Sequence, residues 1–204
     1  MFDVILKQNW LSLCETLAIP EAEHKWSIIT AHYQAEGRPY HNLRHVSFCL
    51  NHMVQFIHMV EQPALVAYAL WMHDIVYSPY KSDNEKLSAE MARLWLAHDA
   101  DSADAVTDLI MATAHPSSPA TNDQMFVVDT DLAILGASCE VYALYRQAVR
   151  SEYAWVPEQA YKVGRGKVLE GFLKQDRIYH HPSFVSLWEQ QARANLAWEI
   201  GEMP

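Results

Sequence analysis

Alternation is missing from this chain: no segment shows the apolar–polar repeat of a half-buried strand, which argues against a sheet. Cysteine is scarce, with Cys14, Cys49 and Cys139 odd in number and set within helical patterns. That excludes a disulfide framework and fits reduced core thiols in a cytoplasmic protein. Positive charge is in deficit, 15 Lys and Arg against 25 Asp and Glu, for a formal net charge of −10. A balance of that sign argues against nonspecific binding to nucleic acid or to an acidic membrane surface. Such a chain holds a phosphate only through a local pocket. The longest apolar run stops short of the ~20 residues that span a bilayer. Met1-Phe2-Asp3 brings neither a basic leader nor a small-residue cleavage site, so no signal peptide is expected.

What is present is helical periodicity. Half of the 204 residues are apolar, with 7 Trp and 10 Tyr, enough for one domain with a substantial core. Helices are expected over about 3–17, from Pro20 through Tyr33, and from near Asn42 through Val60. Pro63 restarts the chain into a helix ending at His73-Asp74. Helices near 83–98, 102–115, up to Gly136, 138–155, 157–175 and 184–200 complete an all-α bundle over 1–204. A homo-oligomer is compatible with this pattern.

His73-Asp74 closes the apolar run Ala67-Tyr68-Ala69-Leu70-Trp71-Met72. A polar pair there must find partners or a metal to offset its desolvation. As a plain helix C-terminus the His is favourable but the Asp is not, because the dipole end is negative. Candidate companions are His45, in Tyr40-His41-Asn42-Leu43-Arg44-His45, and Asp131, in Val128-Asp129-Thr130-Asp131-Leu132. Two imidazoles and two carboxylates suit one divalent ion: Mn, Fe, Co, Ni, Mg or Zn. Asp131 projects with the apolar stripe of Val128 and Leu135, whereas Asp129 projects nearer solvent and is a candidate only to support the ligands. His45 taken alone reads first as an ordinary helix-surface histidine; the motifs around it make it a ligand candidate.

The order His, then His-Asp, then Asp resembles the HD superfamily of metal-dependent phosphohydrolases, over about 40–135. The resemblance implies a helical HD-type core in which His45, His73, Asp74 and Asp131 hold the metal and a small phosphorylated substrate, a nucleotide or related metabolite, is hydrolysed. Asp74 is then a proton acceptor as well as a ligand, and His115 or Glu85 serves the leaving oxygen. Each of these two has another reading. His115 is also a dipole partner ahead of Pro116, and Ser82 with Glu85 is also a capping box. Inward-facing His98 and His115 together would allow a second ion and an oxygenase of the di-iron kind. A module that binds a metal or nucleotide without catalysis is a further alternative. Arg44, Lys81, Arg150, Lys162, Arg165 and Lys167 are candidates to grip a phosphate.

Overall fold

In the computed structural model, which describes residues 2–114 and 118–203, the chain forms α1 (Phe2–Thr16), α2 (Ala22–Tyr33), α3 (Leu43–Gln55), α4 (Pro63–Met72), α5 (Asn84–Trp95), α6 (Ala100–Met111), α7 (Asn122–Asp131), α8 (Cys139–Glu152), α9 (Glu158–Lys174) and α10 (Pro182–Gly201). Two short 3-10 turns, Ile57–Met59 and Leu132–Gly136, accompany them, and there is no strand among the described residues. The expected all-α architecture is therefore the observed one.

The middle of the molecule follows from α4. Its sequence, PALVAYALWM, has no charged residue and no polar face, and a helix apolar all round must be enclosed. It packs on α1, α3, α5, α6 and α7. Trp71 and Tyr68 of α4 meet Trp10 of α1, and Trp26 of α2 reaches Trp71 edge-on. The buried cluster is continuous from Leu6 to Leu196.

Most helix limits follow the sequence signals, with informative differences. Asn42 caps α3 through its side chain, accepting from the Arg44 amide at 2.8 Å, and Pro63 opens α4. Pro20 does not open α2. Glu21 sits in the left-handed region at φ 56°, delaying the helix to Ala22, and the Pro20 carbonyl accepts from Lys25 Nζ instead. The helix expected to run on to Val60 stops at Gln55. Cys14 and Cys49 are buried, but Cys139, expected in the core, is exposed at the start of α8.

The segment after α7 is fixed by a close approach. A Cβ built on Gly136 would lie 2.5 Å from Trp188 Cβ and 3.0 Å from its carbonyl oxygen, so only glycine lets α10 pack on the 3-10 turn. Asn195 of α10 then donates to the carbonyls of Leu135 and Ala137, at 2.7 and 2.9 Å. Gly136→Ala should lower stability by about 1–3 kcal/mol, because main-chain atoms must move. Gly171→Ala, in an exposed helical position with nothing nearby, should raise it by about 0.5–1 kcal/mol. Denaturant unfolding of the two variants measures both signs.

Candidate metal centre

The ends of three helices converge. His45 projects from the first turn of α3, His73 and Asp74 stand at the C-terminus of α4, and Asp131 ends α7. One ligand atom from each of these four residues lies within 4.8 Å of the others. His45 Nε2 is 3.1 Å from His73 Nε2 and 3.0 Å from Asp131 Oδ1. Asp74 Oδ2 stands 3.2 Å from His73 Nε2 and 3.5 Å from His45 Nε2. Such spacings suit bonds of roughly 2.0–2.3 Å to a single central ion. His73 Nδ1 is 3.0 Å from the Leu70 carbonyl, which can only accept. The proton is therefore on Nδ1, and the Nε2 lone pair faces the cluster, as a metal-ligating histidine requires.

Two further facts favour a cation in the middle. Asp74 Oδ2 is buried and has no hydrogen-bond partner, its imidazole contacts being close but misaligned. The group also calls for positive charge. Burial alone would push the His73 imidazole down, but Asp74 and Asp131 hold it well above its ordinary range. The carboxyl groups respond in kind. Burial pushes them up, yet the facing imidazoles hold Asp131 well below, and Asp74 below, the usual carboxylate range. Without an ion a proton fills that place; a divalent cation suits the same four donors better.

The backbone that carries His73 and Asp74 is clamped by Arg38. This buried guanidinium donates to the carbonyls of Asp74 and His41, and to those of His32 and Ile75 at 3.0 and 3.3 Å. Its plane lies over Tyr33, whose hydroxyl donates to the Trp71 carbonyl at 2.7 Å. Ser88 of α5 bonds both the amide and the carbonyl of Val76, at 3.1 and 3.2 Å. Carbonyls left bare where α4 ends are satisfied in this way by the side chains of Arg38, Tyr33 and Ser88.

A second buried charge orders the approach to His45. Glu152, the last residue of α8, accepts from the amides of Tyr40 and His41 at 2.9 Å each. It also accepts from His41 Nδ1 and from the Tyr77 hydroxyl at 2.7 Å each. The His41 ring stacks on Tyr77 at 4.1 Å. Burial lowers the His41 imidazole, but Asp74 and Glu152 bring it above its ordinary value. Neither Arg38 nor Glu152 stands out as functional in the sequence. Arg38 leaves no periodic signal, but a Glu in the last turn of a helix, where the dipole disfavours it, is a signal for Glu152.

The remaining candidates divide. Asp129 is not near solvent: it is fully buried, and its carboxylate accepts from the amides of His180 and His181 and from His180 Nδ1. The reason is that α7 is covered on both sides, by the core and by the chain entering α10, so its projection alone misjudges exposure. Asp131 is the less buried of the two, with its side chain 20% exposed. The capping box expected of Ser82 and Glu85 is absent. Here α5 starts at Asn84, Asp83 precedes it without a side-chain cap, and the half-buried Glu85 borders a cavity. His115 lies outside the described residues. His98 does not face the cluster; it is exposed and its Nε2 is 3.0 Å from the Leu17 carbonyl. Among the basic candidates, Arg165 is engaged by buried Glu199 at 2.9 Å, and Arg150 bonds the carbonyls of Tyr153 and Val156. Arg44 and Lys167 are exposed, and Lys162 pairs with Glu158 at 3.5 Å.

A cavity of about 670 Å³ opens beside Asp131, with His41, Tyr77, Lys81 and Glu85 on its border. Compared with protein-family models, curated proteins and solved structures, the chain matches none, so its own chemistry must carry the assignment. No helix among the described residues is long and apolar enough to cross a membrane.

Glu152 yields a pH test. Burial would raise its carboxyl, yet the bonds from His41 and Tyr77 hold it below its ordinary value. A group with a depressed folded pKa contributes fully above the unfolded value of about 4.3, and that contribution is lost as pH falls through the folded value. Glu152→Gln should therefore lose less stability on acidification than the parent chain, read as thermal midpoints between about pH 3 and 7. Arg38→Met should cost about 3 kcal/mol or more at neutral pH, since several buried carbonyls lose their donor.

Proposed function

We propose that this chain is a metal-dependent phosphohydrolase of the HD kind, cleaving a phosphomonoester of a nucleotide or a related small metabolite. The observation that carries the reading is the convergence of His45, His73, Asp74 and Asp131 on one point at the edge of a cavity. The ligand order and the helical setting are those of the family the sequence resembles. A divalent cation bound by these four residues would supply Lewis-acid polarisation of a phosphoryl oxygen and a lowered pKa for water.

The chain's own groups account for the proton traffic. Water attacks phosphorus, the bond to the ester oxygen breaks, and the proton released passes to a carboxylate, Asp74 in this reading. The departing oxygen needs a proton from a group on the cavity border. Glu85, expected from the sequence, is one such group; His41, added by the geometry, is the other. His41 is oriented for this by donating Nδ1–H to Glu152, which leaves Nε2 for the cavity side.

Elemental analysis of the purified protein, together with hydrolysis assays across nucleotides and sugar phosphates, tests this directly. Asp74→Ala should lose both the ion and the hydrolysis, because one of the four donors and one negative charge go together. Glu85→Gln and His41→Gln should keep the ion. Whichever of them supplies the proton should lose about 100-fold or more in kcat. Unchanged hydrolysis in Asp74→Ala would reject metal-dependent chemistry for this chain.

A further inference from the structure

We infer that the cavity beside Asp131 receives the uncharged, apolar or aromatic body of a phosphomonoester, and that it disfavours nucleoside di- and triphosphates. The inference rests on the phosphohydrolase reading and names the substrate class for that same site. One side of the cavity is apolar and aromatic, with Ile134 and Leu135 from the 3-10 turn, Tyr145 and Val149 from α8, and Val168 from α9, while Lys81, Ser82, Asn84 and Glu85 form the polar side. Its volume, about 670 Å³, lies within the roughly 300–1,000 Å³ of small-molecule sites. Tyr161, also in the wall, adds the face of its ring, while its hydroxyl is turned away from the opening and buried.

The charges on the border decide how many phosphoryl groups fit. Each phosphate beyond the one held at the metal centre needs cations or backbone donors of its own. Among the described lining residues the permanent cations are Lys81 and Arg165, and His41, tied to Glu152 through Nδ1, is set aside for the leaving oxygen in this reading. Arg165 is not free: its Nε and Nη2 donate to the Glu199 carboxylate at 2.9 and 3.1 Å, and Nη2 also reaches the Tyr145 hydroxyl at 3.3 Å. Lys81 is exposed, and Glu85 on the same border opposes a second anion. The cavity thus offers contact to a neutral body and little to a polyphosphate tail.

The experiment uses the full chain loaded with Mn²⁺ and calorimetric binding of ethylphosphonate, hexylphosphonate and ADP. Both phosphonates present the same head group and resist hydrolysis, so the readout is independent of turnover. With extra methylenes to bury, hexylphosphonate should bind about tenfold or more tightly than ethylphosphonate, and more tightly than ADP. Ala160→Trp, at an exposed position of α9 on the cavity wall, should keep Mn²⁺ and thermal stability while erasing most of that preference. Equal affinity for the two phosphonates, or tighter binding of ADP, in protein that retains Mn²⁺ would overturn the cavity assignment and leave the metal centre standing. Protein that retains no Mn²⁺ would remove the phosphohydrolase reading, and this inference with it.

Discussion

Two carboxylates and two imidazole nitrogens share a largely buried space where three helices end, open on the Asp131 side, and their closeness calls for positive charge. Much of the architecture answers that requirement. Coulomb attraction in a poorly screened interior is strong, and unpaired charge there is costly, so the cluster is held by elements that cannot drift apart. His45 and His73 are almost fully buried, and the helix bringing His73 has no solvent-facing side. The ligands stand at helix ends, where neighbouring residues such as His73 and Asp74 can turn toward one point despite the ~100° between them on a helix.

Two buried charges outside the cluster make this arrangement rigid. Arg38 fixes the backbone on which His73 and Asp74 are mounted, and Glu152 fixes the turn that leads into His45. Arg38 acts on main-chain carbonyls, and Glu152 divides its bonds between two amides and two side chains. Each charge is distributed over several hydrogen bonds, the condition under which a buried ion is tolerable. Glu152 also draws His41 and Tyr77 together, so the border of the cavity is organised by the same carboxylate that supports the entry to His45.

The convergence of His73, Asp74 and Asp131 was legible in the sequence because their chemistry conflicts with its surroundings: a polar pair ending an apolar helix, and an acid within the apolar pattern around Asp131. Helix existence was legible for the same reason, periodic apolar residues having only one way to be buried. Burial of Asp129 was not, since its partners are amides some fifty positions later and α10 covers a face that projection leaves open. Glu85 illustrates a local rule overridden: spacing fits a capping box, but Asn84 bonds back to Ser78 and the helix begins one residue later than such a cap requires. Arg38 was silent because a side chain that serves carbonyls of distant residues leaves no periodicity.

The reach of Glu152 back to Tyr40 and His41 separates the ligand set from the unit able to carry it. Every proposed ligand lies between His45 and Asp131, yet the entry to α3 is tied by a residue at the end of α8, and the turn after Asp131 is tied by Asn195 of α10. A polypeptide cut shortly after Asp131 would keep all the donor atoms and lose both ties. During synthesis the same holds in time: the ligands emerge early, but the scaffold that aims them closes only when the C-terminal helices have arrived. Before then the four donors are flexible and unaimed, so a cluster able to hold an ion takes shape only late in the maturation of this chain.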